Sequence, residues 1–229
     1  MDGLQLNDVS YRYGDVVVLH EASVEVPRGG AMVVTGDNGV GKSTLLYVCA
    51  GLLQPTAGEV RLDGHRTDAA HPSILFRHGI RRGFVFQQGG LFSNMSALAN
   101  VSLALGYHAD VLGLAPGDIT PRARDALSRA GVDPADVHSS PAHLSFGTRK
   151  LVALARALAI EPNYVFFDDP DTGLDTDGIH VVHGVLAELR DDPAVTMVVA
   201  TNHDDLMEHL GVRPQVLAAG RLFERFSSA

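Results

Sequence analysis

Gly36-Asp37-Asn38-Gly39-Val40-Gly41-Lys42-Ser43-Thr44 fits the pattern G-x-x-x-x-G-K-[ST], and its surroundings decide what it means. Just ahead, Ala31-Met32-Val33-Val34-Thr35 is short, β-rich and apolar on both faces, as a strand buried in a parallel sheet must be. Just behind, the spacing predicts a helix from about Lys42 to Leu53, halted by Gln54-Pro55-Thr56-Ala57-Gly58. Between a buried strand and a helix, glycines let backbone N–H groups curl around phosphate oxygens, and the helix N-terminus adds its positive end. Lys42 then reaches the β- and γ-phosphates of a nucleotide, and Ser43 offers a hydroxyl to Mg²⁺. ATP with Mg²⁺ is the expected ligand.

Working outward, two alternating apolar stretches at about Leu4–Tyr13 and Val16–Val26 read as antiparallel strands, followed by a turn at Pro27-Arg28-Gly29-Gly30. Apolar runs at Gly83–Gln87, Tyr164–Asp168 and Val195–Thr201 read as further central strands. Helical patterns separate them, at about Pro121–Ala130, Arg149–Ile160 and Thr176–Arg190. This alternation predicts an α/β phosphate-loop NTPase sandwich with a mostly parallel central sheet and an N-terminal antiparallel β-subdomain. Gly89–His143 has helical pieces without a central strand. It is expected to be an inserted helical lobe, which with the next helix runs over about residues 89–160. Gln215–Phe226 reads as a hairpin turning at Ala219-Gly220, and residues 1–229 are expected to form one nucleotide-binding domain.

The run Tyr164-Val165-Phe166-Phe167 ends abruptly in Asp168-Asp169-Pro170. The carboxyl end of a parallel strand is where ligands bind in open α/β sheets, so Asp168 is expected to hold Mg²⁺ through its water shell. Asp169 is then placed to polarise an attacking water. The net charge of −9 argues against binding along nucleic acid, and the short cluster Arg77-His78-Gly79-Ile80-Arg81-Arg82 reads as a solvated loop before a strand. Cys49 is the only cysteine, which excludes an intrachain disulfide and fits a reducing compartment. No signal peptide is read at the N-terminus. No uncharged apolar run approaches the ~20 residues needed to span a bilayer, so any membrane link is expected to run through a partner. The histidines lack H-E-x-x-H spacing, and the His180/His183 pair is expected on an exposed helix face.

Leu144-Ser145-Phe146-Gly147-Thr148-Arg149-Lys150, followed by Val152-Ala153-Leu154-Ala155-Arg156-Ala157-Leu158, resembles the signature loop and helix of the ATP-binding cassette ATPases. The resemblance continues over nearly the whole chain. Tyr13 matches the aromatic that stacks on adenine, and Gln87 of Val-Phe-Gln matches the Q-loop glutamine that touches Mg²⁺ and senses the transporter. Thr172-Gly173-Leu174-Asp175 matches the D-loop, and His203 the switch histidine that contacts the γ-phosphate. It implies a head-to-tail pair of cassettes, identical or not, with two ATPs at the interface. Ser145 and Gly147 would reach the γ-phosphate held by the partner's loop, and closure and opening would drive integral membrane permease subunits from the cytoplasmic face. Read alone, Ser145 is simply the N-cap of the helix that begins near Arg149.

Three departures from the family pattern bear on turnover. Asp169 stands where the family has glutamate; Phe146 and Thr148 replace the first glycine and the glutamine of L-S-G-G-Q; Asn202 precedes the histidine where serine or threonine is usual. Slow hydrolysis, relieved by Asp169→Glu, is therefore expected, and a nucleotide-binding subunit with a structural or regulatory role is the alternative. A soluble cassette acting on DNA or ribosomes is disfavoured: about 100 residues separate Ser43 from Leu144, without a heptad run, and one cassette is present. Phe86-Gln87-Gln88-Gly89-Gly90-Leu91-Phe92-Ser93-Asn94-Met95 resembles the Q-loop region of lipid-trafficking cassettes, against the plainer reading of a generic Q-loop.

Overall fold

The computed structural model describes residues 2–67 and 72–224. At the N-terminus, β1 (Gly3–Tyr13) and β2 (Val16–Pro27) form the expected antiparallel pair. On its other side β1 pairs with β4 (Ala57–Leu62), which pairs with β5 (His65–Arg66), so the first sheet runs β2-β1-β4-β5. The second sheet contains β3 (Ala31–Thr35), β6 (Arg82–Val85), β7 (Tyr164–Asp168), β8 (Thr196–Ala200), β9 (Pro214–Ala218) and β10 (Arg221–Glu224). Its order is β10-β9-β3-β8-β7-β6, parallel throughout except for the terminal hairpin β9–β10.

The continuous apolar runs follow from burial on both faces of this sheet. Successive side chains of a strand point to opposite faces. Accordingly Met32, Val34, Tyr164, Phe166, Val198 and Ala200 pack with Leu45, Leu46, Val48 and Cys49 of α1 (Lys42–Cys49) and the inner face of the first sheet. Val33, Val165, Phe167, Met197 and Val199 pack on the opposite side. There they meet residues of α3 (Ala97–Tyr107), α5 (Ile119–Arg129), α6 (Phe146–Leu158), α7 (Thr176–Asp191) and α8 (Asp204–Leu210). α6 packs on α3, α5 and β6, and so ties the helical segment to the sheet that carries the carboxylates.

Several boundaries differ from expectation. α1 ends at Cys49 because Gly51 takes a left-handed φ of 69°, a helix stop that acts before Pro55 can. α6 begins three residues early, at Phe146, with Ser145 as its N-cap. β6 ends at Val85, leaving Gln87 beyond the strand in a turn. The hairpin spans Pro214–Glu224, and Phe226 lies outside the described residues. β5, α8 and α2 (Pro72–Arg77) have no counterpart in the sequence reading, being too short to show a period, and β4 none because Ala57-Gly58 reads as part of a helix stop; α4 (Ala109–Leu112) is one of the helical pieces expected between Gly89 and His143. The Arg77–Arg82 stretch is not simply solvated. Ile80 is buried, Arg82 Nη1 donates to Ala50 O at 2.5 Å, and Arg81 Nε donates to Glu161 O at 2.6 Å. His183 also corrects the reading: it is buried, with only His180 of the pair exposed.

Candidate functional site

The chain leaves β3 into the Gly36–Thr44 loop and enters α1 through Gly41. Both motif glycines are sterically required. Gly36 has φ 148°, and a Cβ there would lie 2.4 Å from Leu217 O; Gly41 has φ 112°, and a Cβ there would lie 2.6 Å from Val18 Cγ1. Gly41 caps α1 without a side chain, so the first-turn N–H groups, which lack intrahelical partners, face the loop. Lys42 is buried and its Nζ donates to Gly36 O at 2.7 Å and Asp37 O at 3.1 Å, which keeps the ammonium inside the curl.

Asp168 ends β7 and is 2% exposed. Ser43 Oγ donates to its Oδ1 at 2.9 Å, joining two residues far apart in the chain. Burial raises the Asp168 pKa, the Ser43 hydrogen bond opposes this, and the neighbouring Asp169 charge adds to it. Its Oδ2 is buried and, among the described residues, meets no donor in hydrogen-bond geometry. The Tyr47 hydroxyl also faces this carboxylate and lowers its pKa, and hydroxyl, carboxylate and the Gln87 amide form a set of hard oxygen donors that fits Mg²⁺. Ser43, Asp168 and Gln87 could therefore hold that ion.

Asp169, the next residue, is half-buried and adopts φ 44°, a left-handed conformation unusual for a residue with a side chain. Its N–H donates to Ala200 O at 2.9 Å, and its C=O accepts from Lys150 Nζ at 2.5 Å. Gln87 Nε2 donates to its Oδ2 at 3.3 Å. Burial raises the Asp169 pKa, while the charges of Lys42, His203 and Lys150 pull it back.

His203 stands at the N-cap of α8, with Thr172 Oγ1 3.3 Å from its Nε2. Its Nδ1 lies 2.8 Å from Asp171 Oδ1, an ion-pair distance that falls short of hydrogen-bond geometry. Asp171 is 5% exposed, and its Oδ2 lies 3.1 Å from His183 Nε2. The buried carboxylate thus bridges two histidines. Sequence reading passed over Asp171; the one available signal was a third acidic residue just after Asp168-Asp169-Pro170.

Asn202, noted above only as a departure, braces the phosphate loop. Its Oδ1 accepts from Gly36 N at 3.3 Å and Thr35 Oγ1 at 3.1 Å, and its Nδ2 donates to Asn38 Oδ1 at 3.1 Å. Its amide can donate and accept at once, which a serine or threonine hydroxyl does over a shorter reach.

The remaining expected residues lie around this centre. Tyr13, at the end of β1, is half exposed and stands edge-on to Tyr11, with centroids 4.9 Å apart. Ser145 is exposed; its Oγ accepts from Thr148 N at 2.9 Å and lies 2.8 Å from Thr148 Oγ1. Gly147 faces Leu174 and Gly173, so the start of α6 packs on the loop that carries Asp175. Asp175 N-caps α7 by accepting from Gly178 N at 2.9 Å. Phe146 is part-exposed, and one side of its ring leans on the neighbouring loop. A Cβ on Gly173 would lie 2.7 Å from its ring, and its centroid is 5.5 Å from Lys150 Nζ. Lys150 is 1% exposed, and burial lowers its pKa to about 8 against the pull of Asp171, Asp169 and Asp168.

The family model described as ABC transporter matches residues 19–172, more than half of the chain. The intermembrane phospholipid transport system ATP-binding protein MlaF of Escherichia coli K12 is 32% identical over 201 residues, 88% of this chain and 73% of that protein. The glutamine transport ATP-binding protein GlnQ of the same strain is 32% identical over 222 residues, 96% of this chain and 90% of that protein. Among solved structures, the dimeric post-hydrolysis state of the ATP-binding cassette MJ0796 with ADP and Pi superposes with a TM-score of 0.86 at 29% identity, covering 96% of each chain. The cassette cbiO1 of Clostridium perfringens, part of the cbiONQ transporter complex, gives 0.76 at 30% identity over 97% of this chain and 88% of its own. The phosphate loop, the fold and these relatives agree: this chain belongs to the ABC transporter family as one of its ATP-binding, ATP-hydrolysing cassettes.

Proposed function

We propose that the Gly36–Thr44 loop, Asp168, Asp169, Gln87 and His203 form the ATP·Mg²⁺ site of a cassette that works in a head-to-tail pair beneath membrane permease subunits. The observation that carries this reading is the Ser43–Asp168 hydrogen bond of 2.9 Å, with Asp169 as the next residue, which brings the metal-holding and water-polarising groups of two distant segments together. Lys42 supplies charge to the β- and γ-phosphates, the α1 N-terminus supplies N–H donors, and Tyr13 stacks on the adenine. Bound Mg²⁺, held by Ser43, Asp168 and Gln87, would offset the charge that builds on the phosphates during transfer. Asp169 accepts a proton from the water that attacks the γ-phosphorus, the bond to the bridging oxygen breaks, and ADP leaves with phosphate. His203, held by Asp171, faces the γ-phosphate. Ser145 and Gly147 complete the site of the second cassette across the interface, beside Asp175.

Lys42→Ala tests the assignment directly. Equilibrium titration with a fluorescent ATP analogue and Mg²⁺ is expected to show loss of high-affinity binding, and unchanged affinity would sink it.

No helix among the described residues is long and apolar enough to cross a membrane; the likeness to a cassette that is part of a transporter complex supports attachment at the cytoplasmic face through permease subunits. Lipid is the cargo favoured by the Phe86–Met95 stretch together with the likeness to a phospholipid-transport ATPase subunit. The equal identity to a glutamine-transport subunit is the counterweight. Identification of the membrane proteins and lipids that copurify with the chain from detergent extracts decides between them.

A further inference from the structure

Among the described residues Lys150 is the largest charged side chain less than 2% exposed, at 1%, and a lysine is almost never fully buried without a partner. Its hydrogen bond goes to a backbone oxygen. Nζ donates to Asp169 O at 2.5 Å, while the Asp169 N–H donates to Ala200 O at 2.9 Å. Asp169 is thus the one residue between β7 and Pro170, it is left-handed at φ 44°, and both of its backbone polar groups are pinned, one by α6 and one by β8. A left-handed backbone disfavours most L-residues and is tolerated by aspartate, whose short polar side chain fits it. The Phe146 ring, itself part-exposed, lies against Gly173 with its centroid 5.5 Å from Nζ.

We propose that Lys150 is a positioning residue for hydrolysis: it pins the Asp169 carbonyl and thereby holds the left-handed backbone that aims the short carboxylate into the site, with Phe146 as the cover of that contact. Phe146 and Asp169, two separate departures in the sequence, become parts of one contact chain running from the signature loop to the water-polarising carboxylate. The proposal rests on the reading of Asp169 as the group that accepts the proton from water.

The test uses the purified full chain. Lys150→Met keeps length and apolar packing and removes the donor. It is expected to lower kcat for phosphate release at least tenfold while KM for ATP and affinity for a fluorescent ATP analogue stay within twofold. A crystal structure of the variant is expected to show Asp169 outside the left-handed region. Because Phe146 is part-exposed, its variants fold even if Lys150→Met does not: Phe146→Leu keeps an apolar cover and stays within twofold of the wild-type kcat, and Phe146→Gly loses several-fold. A wild-type kcat for Lys150→Met, an equal fall of kcat and nucleotide affinity with the Asp169 backbone unmoved, or a Phe146→Gly variant faster than wild type would each overturn the proposal. Asp169→Asn separates the two levels. If it hydrolyses ATP at the wild-type rate, the reading of Asp169 itself fails; if it is inactive while Lys150→Met is fully active, only the positioning role fails.

Discussion

Replacing Asp169 by glutamate restores the residue usual in the family, and sequence alone predicts faster hydrolysis. The geometry reverses that expectation. Asp169 Oδ2 is already 3.3 Å from Gln87 Nε2, and the backbone behind it is tied to Ala200 O and Lys150 Nζ, so it cannot retreat to make room. One added C–C bond advances the carboxylate by ~1.5 Å, into the space of the Gln87 amide. Misplacement of a catalytic group by ~1 Å costs on the order of 10²-fold in rate, or about 2.7 kcal/mol in the barrier. A left-handed backbone also suits glutamate less than aspartate, by a share of the ~1–2 kcal/mol such a conformation costs. A loss of about 1 kcal/mol would lower the melting temperature of a chain this size by roughly 2–4 °C. Asp169→Glu is therefore expected to bind ATP·Mg²⁺ normally, hydrolyse it about a hundredfold more slowly and melt slightly earlier. Steady-state phosphate release, nucleotide titration and thermal unfolding measure the three effects. A glutamate variant that turns over faster than wild type would refute the reasoning and show that the shorter side chain is a simple deficit.

Asp171→Asn replaces one of the two carboxylate oxygens that lie between His183 and His203 with an amide nitrogen; phosphate release is expected to fall at least tenfold, with stability lower by about 1–3 kcal/mol in denaturant titration, since a buried hydrogen-bond acceptor is lost. Cys49 is fully buried with its thiol pushed up to about 12 by burial, so Ellman's reagent at neutral pH is expected to label it only on unfolding, and labelling of the native chain would contradict its place in the core. The sign follows for alkaline stability: because the folded thiol holds its proton more tightly than the unfolded one, its contribution is complete below the unfolded pKa and is lost as pH rises toward 12. The purified chain is expected to stay at the bottom of a density gradient with liposomes, and flotation without partner proteins would rule out indirect attachment.

The nucleotide loop, the strand that precedes it, the carboxylates that end β7 and the order of the family motifs were legible in the sequence by itself. Each is a local pattern: glycines where a positive φ is needed, unbroken apolar runs where a strand is covered on both faces, serine before a helix. Backbone geometry and burial period are encoded within a few neighbouring residues, so no knowledge of the fold was needed to read them. β4 escaped because its first residues, Ala57-Gly58, read as part of a helix stop, and β5 and α8 hold too few residues to show a period.

Tertiary structure alone decided how the site is braced. The hydrogen bonds of Asn202 to Gly36 and Asn38, the Asp171 bridge between His183 and His203, and the Lys150 contact with the Asp169 carbonyl join segments that meet only because β3, β8, β7 and β6 lie side by side. Asp171 and Lys150 looked like ordinary polar residues, since no local rule marks a charge for burial. Whether a charge is buried and paired depends on which distant residues the strand order brings to it, and that order forms only when the whole sheet does.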